Sequence, residues 1–488
     1  MPKHGIITLR PLGWESDPED EFFKLSTLDY CVGQVFTNWA LFFKLPDGTN
    51  KENIVAILKQ GLEVTLSQCR QLCGTLETLP DNQGLCFHKK RESTVEFHIQ
   101  HLEDAEGKYP SFQELESQNF VSQSLGNLST WCVPPMTYGE KPEAQPSANP
   151  KASAFKATFI RGGLVFVMHH HHYANDIMGW AGELHQLADN CAAIFKNPST
   201  PSLPNWDPSC LDLSRVTAPT PPECEMVDGP VSPLRHPNHK KGEWLLFHLP
   251  KSKASELKAL ASPPGDDRET WISTYDAFNA LIWRVLTKHR LTIFPHDLSD
   301  PLLWGEAVDM RRRLLSPKPV PERMQGNVVY VALSSQSPNL IPPLTVQQVA
   351  HSAPLSTLAQ YIRSLTNTVT EENLSAALSG IARIKDKTSL FLRTDSFPPL
   401  SNFVTDWRDT EPCEADFGFG KPAAMRFPFD TVTAGLAVVY PVRNTGREDE
   451  GSEFSIAVEK EIKQGLLEDE EWNRWFEFRG VDAEDQLR

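Results

Sequence analysis

Apolar residues after position 50 recur three and four apart. Ile54, Ile57, Leu58, Leu62, Leu66, Cys69 and Cys73 make one face of a helix. Thr49 and Glu52 precede them with the S/T-x-x-E spacing of a capping box, so the helix is predicted to open there. Further on the period changes to two. Phe155, Ala157 and Phe159 alternate with Lys156, Thr158 and Ile160, Arg161-Gly162-Gly163 turns, and Leu164 to Met168 is a continuous apolar run. This predicts a hairpin whose second strand is buried. Helical period returns in Ile177, Trp180, Ala181, Leu184, Leu187, Ala188 and Cys191.

The second half repeats the alternation. Trp244 to Leu249 reads as a strand, Ser252 to Leu260 and Tyr275 to Leu286 as helices, and Val328 to Leu333 as a strand. Val438 to Val442 and Phe454 to Val458 read as paired strands, and Glu459 to Phe478 as an acidic helical end. Strands alternating with helices in both halves predict an α/β protein with layered sheets and helices. Between the halves, 197–239 is dense in proline, which disfavours helix interiors and central strands. The expected organisation is a first domain over 1–196, a proline-rich crossover over 197–239 and a second domain over 240–488.

Composition narrows the function. Lys and Arg number 47 against 63 Asp and Glu, a net charge of −16 over 488 residues. Such a field repels phosphate, so neither nucleic acid nor an anionic membrane surface is the expected partner, and any phosphate-bearing ligand needs a local basic patch. No apolar run reaches membrane-spanning length, and the first residues lack a signal-peptide core. The nine cysteines are scattered, without a CxxC pair, which predicts thiols in a reducing, cytoplasmic compartment.

The most unusual segment is His169-His170-His171-His172-Tyr173-Ala174-Asn175-Asp176, joining the buried strand to the next helix. Neighbours on a strand face opposite ways, so at most two of the four imidazoles share a face. Three readings remain open from the residues alone. The run is an incidental polar strand end, a metal site built from alternate histidines, or the seat of a general base. No HExxH motif and no second His/Cys cluster supports the metal reading.

His172-x-x-x-Asp176 after a strand resembles the active-site motif of the BAHD acyltransferase family. A second stretch, Asp416-Phe417-Gly418-Phe419-Gly420-Lys421-Pro422, is similar to that family's DFGWG motif. Val308-Asp309-Met310-Arg311-Arg312-Arg313 followed by Gly326-Asn327 is similar to its VDxRxR and GN stretch. Thr405-Asp406-Trp407-Arg408 stands where TSWR is frequent, and Leu25 to Asp29 resembles the family's N-terminal entry. The resemblance spans nearly the whole chain and is closest in style to fungal O-acyltransferases of secondary metabolism, such as trichothecene O-acetyltransferases. Departures are Ile177 for the glycine after the motif aspartate, Phe419 for tryptophan and Asp406 for a small hydroxyl residue.

The resemblance implies two pseudo-symmetric domains like chloramphenicol acetyltransferase, with mixed sheets flanked by helices and an active-site channel at their interface. The segment near 416–440 is expected to pack with the first half. The implied reaction moves an acyl group, acetyl foremost, from acyl-CoA to an alcohol or amine, with no permanently bound cofactor or metal, in a monomer; the alternatives are a condensation-type acyltransferase served by carrier proteins and a non-catalytic binding member of the same fold. His172 would be the general base. Asp176, paired with Arg311, and Asp416 would support structure, and Asn327 would be a possible oxyanion donor. Lys251, Lys253, Lys258 and Ser273 are candidates for holding coenzyme A. His171, Trp407, Phe419 and Gly420 are candidates for the channel wall.

Overall fold

The computed structural model describes residues 3–79, 84–103, 107–263, 271–334 and 341–485. In the first half these form β1 (Lys3–Leu9), β2 (Asp20–Lys24), β3 (Phe36–Lys44), α1 (Lys51–Gln68), β4 (Thr75–Thr78), β5 (Leu85–Lys90) and β6 (Val95–His101). They continue with α2 (Phe112–Ser117), β7 (Ser153–Ile160), β8 (Gly163–His171) and α3 (Ile177–Lys196). The second half begins with β9 (Gly242–Leu249), α4 (Lys251–Ala261), α5 (Thr274–Arg290), β10 (Trp304–Asp309), β11 (Val329–Leu333), α6 (Leu355–Thr368) and α7 (Glu371–Ala382). It ends with β12 (Asn402–Asp406), β13 (Ala424–Arg426), β14 (Leu436–Tyr440), β15 (Ser452–Glu459), α8 (Lys460–Glu468), α9 (Glu470–Asn473) and β16 (Glu477–Glu484).

The fold is α/β, with two large mixed sheets. The first runs β1-β6-β7-β8-β3-β13 and the second β11-β10-β12-β14-β15-β9-β16, with a small sheet β2-β5-β4 beside the first. Chain exchange couples the halves. β13, from the second half, pairs antiparallel with β3 at the edge of the first sheet, whereas β14 returns to the second sheet between β12 and β15. Within the segment 416–440, β13 pairs with the first sheet and Phe427 to Thr433 pack on Thr137, Tyr138 and Lys141 of the first half, before β14 joins the second sheet. A buried ionic network ties this exchange down. Arg426 on β13 meets Glu453 on β15 at 2.7 Å, and Arg443 and Arg479 bridge Glu453 and Glu450.

Local chemistry explains the elements. α1 starts one residue later than the capping box predicts: Asn50 is the N-cap, accepting from Asn53 N, while the Thr49 hydroxyl donates to Pro46 O. The helix ends at Gln68, and Cys69 to Cys73 lies in a tighter buried turn. β7 and β8 are both buried on both faces, Lys156 included, because its Nζ donates to the carbonyls of Thr130 and Cys132. α3 lays Trp180 on Trp39 and His170 of this sheet, and Leu187 and Cys191 against Gly61 of α1. Each such apolar side chain stabilises the layer by about 1.5–3 kcal/mol. The acidic end holds helices only to Asn473; Glu477 to Glu484 is strand β16, paired with β9 across two register shifts. Those irregularities erase the period-two pattern that would have shown the strand in sequence.

The crossover 197–239 contains only short 3₁₀ turns and one isolated bridge, Val227 to Ile384. It touches both halves: Trp206 and Leu211 pack on the first core, Val216 lies in the second, and Cys210 O accepts from Gln325 N beside the Gly326-Asn327 loop.

Candidate active site

β8 ends at His171, and Asp176 caps α3 by accepting from Gly179 N at 2.8 Å. His172 stands in the turn between them. Its backbone is pinned on both sides: His172 N donates to Val35 O at 2.9 Å, and His172 O accepts from Asn327 Nδ2 at 3.0 Å. The imidazole lines a cavity of about 2060 Å³ between the two large sheets. Burial pushes its pKa below the usual imidazole value, opposed by its own carbonyl and by the Asp176 charge. The ring is therefore neutral near pH 7, the state a proton acceptor needs.

Asp176 turns from the reacting space onto Arg311. Arg311 Nη1 and Nη2 each approach a different Asp176 oxygen at 3.0 Å, and Val328 N donates to Oδ2 at 2.7 Å. The same guanidinium donates to Asp309, Met324 O and Gly326 O. One planar fork thus fastens the start of α3 to the 324–327 loop. Gly326 has φ of +84°, and a Cβ there would meet Leu213 at 2.6 Å, so the tight loop needs glycine. Arg313 serves elsewhere, donating to Thr366 O and Val369 O.

Asn327 corrects the expectation of an oxyanion donor. Its Nδ2 is spent on His172 O and on Asp29 Oδ1 at 2.8 Å, and its backbone N–H also goes to Asp29. Burial pushes the Asp29 carboxyl up to about 6 against the bonds it accepts from Asn327 and Ser26. A chain from Asp29 through Asn327 to the His172 carbonyl therefore positions the turn that carries His172.

The other histidines separate by face. His171 is buried, donating Nε2–H to Ala144 O and accepting from Tyr173 N, so it is a structural residue and not channel wall. His169, on the same face, accepts from Val133 N and is pushed down to about 3 by burial. His170 faces α3, where its Nε2 lies 3.2 Å from Glu183, both fully buried.

Further placements differ from expectation. Phe419 packs on Phe43 and Phe417, and Gly420 O accepts from Phe417 N; neither lines the cavity. Asp416 is exposed and accepts from Gly418 N, so the segment is a braced turn. Gly418, with φ of +82°, lets that turn press on α3, where a Cβ would lie 2.6 Å from that of Phe195. Lys251, Lys253 and Lys258 lie outside the cavity wall. The start of α4 is already filled by a protein anion: Asp449 accepts from Ser252 N and Ser252 Oγ. Ser273 does line the cavity, but its hydroxyl is held by Asp276 and Arg363. Trp407 lines the cavity, and Asp406 is covered by Arg408 at 2.6 and 2.9 Å.

Much of the cavity's charge comes from residues outside the motifs. Arg312, Arg313, Arg363 and Trp271 gather at the mouth beside Ser273, and Ser232 to Arg235 of the crossover line the wall as well. Only the VDxRxR stretch signalled any of these arginines. Arg363 sits mid-helix on α6, far from any motif.

The Transferase family model matches residues 15–471. Acetyltransferase FGR3 of Gibberella zeae is 55% identical over 486 residues, covering 99% of this chain and 95% of that protein. Trichothecene 3-O-acetyltransferase TRI101 of Fusarium sporotrichioides is 25% identical over 91% of this chain and 94% of its own. The crystal structure of F. sporotrichioides TRI101 with coenzyme A and T-2 superposes with a TM-score of 0.75, at 22% identity, over 94% of this chain and all of that one. With a pinned histidine at the strand end, its aspartate folded onto Arg311, and a matching relative along its whole length, the chain belongs to the Transferase family, the BAHD acyltransferases.

Proposed function

We propose that the protein transfers an acyl group, acetyl foremost, from acyl-CoA to a hydroxyl of a hydrophobic secondary metabolite. The observation that carries this reading is His172, neutral and facing the cavity, with its backbone fixed by Val35 and Asn327. His172 takes the proton of the acceptor hydroxyl as its oxygen bonds to the thioester carbonyl carbon. The tetrahedral intermediate then collapses, the C–S bond breaks, and the leaving sulfur receives that proton from the imidazolium. General-base help of this kind contributes ~10²–10⁴-fold, about 3–5 kcal/mol of barrier. With Asn327 spent, Thr405 is the oxyanion donor of this scheme. It lines the cavity, and its Oγ1 accepts from Trp407 Nε1, leaving its own O–H to donate.

The donor takes the mouth with Arg312, Arg313 and Arg363. Burial pushes the Glu306 carboxyl at this mouth up to about 7, opposing its bonds from Thr366 and Tyr275, so its charge weighs less against the phosphates. The acceptor takes the other mouth, where Tyr138, Phe391, Phe427 and Phe429 supply apolar surface. Charged groups there are paired, Arg393 with Glu140 and Asp395 and Lys141 with Asp430, as Arg312 is with Asp409 on the donor side, so it is the apolar surface that favours an uncharged acceptor. Among the described residues no helix is long and apolar enough to cross a membrane. A cytoplasmic location fits the nine free thiols and the acyl-CoA pool.

The test is free-thiol release from acetyl-CoA with a panel of hydroxylated secondary metabolites, trichothecenes among them. Acceptor-dependent release that His172→Ala abolishes supports the reading. Release unaffected by that substitution overturns it.

A further inference from the structure

Of the four consecutive histidines, His170 is the one that meets α3. Its ring stands edge-on to Trp180, 4.4 Å between centroids, and its Nε2 lies 3.2 Å from a carboxylate oxygen of Glu183. Both side chains are wholly buried, and Phe155 faces the imidazole from β7. Among the described residues neither side chain makes a hydrogen bond, so their contact with each other is what offsets their burial. An apolar pair in this place would cost the fold less, because a buried ion pair seldom recovers its own desolvation. What the polar pair adds is direction. An imidazole nitrogen and a carboxylate meet well in one register, whereas interdigitated apolar side chains tolerate a slip.

The pair joins the two elements that flank His172. His170 lies on β8 two residues before it, and Glu183 follows the cap Asp176 by seven residues, two turns into α3. Trp180, one turn before Glu183, packs edge-on against Trp39 at 5.2 Å. Both indoles line the cavity together with Thr37, whose hydroxyl donates to His170 O at 3.3 Å. His170 and Glu183 themselves stand behind this wall and do not line it. We propose that they are a positioning pair for the reaction. By fixing how α3 sits on β8, they set where the His172 ring and the Trp180–Trp39 wall stand in the cavity. The proposal rests on the acyl-transfer reading above and adds two residues that act through His172 without touching the reacting atoms.

Thiol release from acetyl-CoA with water as the acceptor, coenzyme A affinity by calorimetry and the urea midpoint together test this. Glu183→Met is expected to lower kcat about tenfold to a hundredfold, the scale of a small misplacement of a catalytic group, while KM and coenzyme A affinity stay within about twofold of wild type. Glu183→Gln, which keeps an oxygen for the imidazole N–H, is expected to recover most of kcat. The double variant His170→Leu, Glu183→Met removes both buried polar groups, so its urea midpoint is expected to return to the wild-type value or above. Its kcat is expected to stay low, which a merely structural pair would not do. A double variant with wild-type kcat overturns the proposal. So does a Glu183→Met protein whose kcat and coenzyme A affinity fall together, an outcome that leaves acyl transfer intact. Wild-type protein without His172-dependent thiol release overturns the acyl-transfer reading itself, and the positioning role with it, before any Glu183 variant is compared.

Discussion

Replacing Arg311 by methionine removes a guanidinium that is 4% exposed and that contacts Asp176, Asp309, Met324 O and Gly326 O. Asp176 is then left 7% exposed with a buried charge held only by the N–H groups of Gly179 and Val328. Breaking one side of a buried ion pair costs about 3–5 kcal/mol, mostly from the stranded partner. Arg311→Lys keeps the charge but loses the planar fork, and with it at least two of the four contacts. At roughly 1.5 kcal/mol or more per charge-assisted bond, it recovers less than half of the loss. Asp176→Asn in the Arg311→Met background removes the stranded charge while the side-chain oxygen still caps α3. The double variant is therefore expected to be more stable than Arg311→Met alone, with a coupling energy of ~1–3 kcal/mol. Urea unfolding of the four proteins, followed by tryptophan fluorescence and by thiol release, measures this cycle. Strictly additive losses would refute the claim that Asp176 exists to engage Arg311.

Asn327→Ala strips the donor from the His172 carbonyl and from Asp29; an unsatisfied buried group costs ~1–3 kcal/mol, so the rate of thiol release should fall by about tenfold to a hundredfold. Coenzyme A affinity by calorimetry should stay at the wild-type value, and an equal loss in both would contradict a positioning role. Glu450 makes acid sensitivity predictable. Burial pushes its pKa up, but Arg479 and Arg443 hold it down at about 2, below an unfolded value of about 4.3. Its stabilisation is present above pH ~4.3 and is lost as pH falls toward 2. Glu450→Gln should flatten the fall in urea midpoint over that window, and an unchanged slope would exclude the network from acid unfolding.

Much of the fold was legible because period and burial agreed. The hairpin β7–β8 and helix α3 carry their patterns openly, and the proline density of 197–239 coincides with a stretch of short 3₁₀ turns. β16 was hidden by its two register shifts, and the transfer of β13 to the first sheet leaves no local signature in three residues. At the site, His172, Asp176 and Arg311 were readable from motif spacing, and their convergence follows from β8, α3 and the turn after β10. Misplaced residues share a cause. Lys251 and Lys253 looked like an anion site from charge alone, but Asp449, two hundred positions away, occupies that helix start. Phe419 and Gly420 belong to a motif whose work is to brace a turn on Phe43 and α3. Asn327 was placed correctly beside the histidine, yet its donors are consumed by partners that only the tertiary structure reveals.

The pH dependence of thiol release from acetyl-CoA, measured for wild type and for His172→Ala with water as the acceptor until the alcohol is known, tests the role of His172 most directly. Because burial holds the His172 pKa below the usual imidazole value, wild-type kcat/KM should rise through a single ionisation below about pH 6.5 and stay level through neutrality. His172→Ala should lose that limb together with most of the rate. A variant that keeps the wild-type profile would contradict His172 as the base.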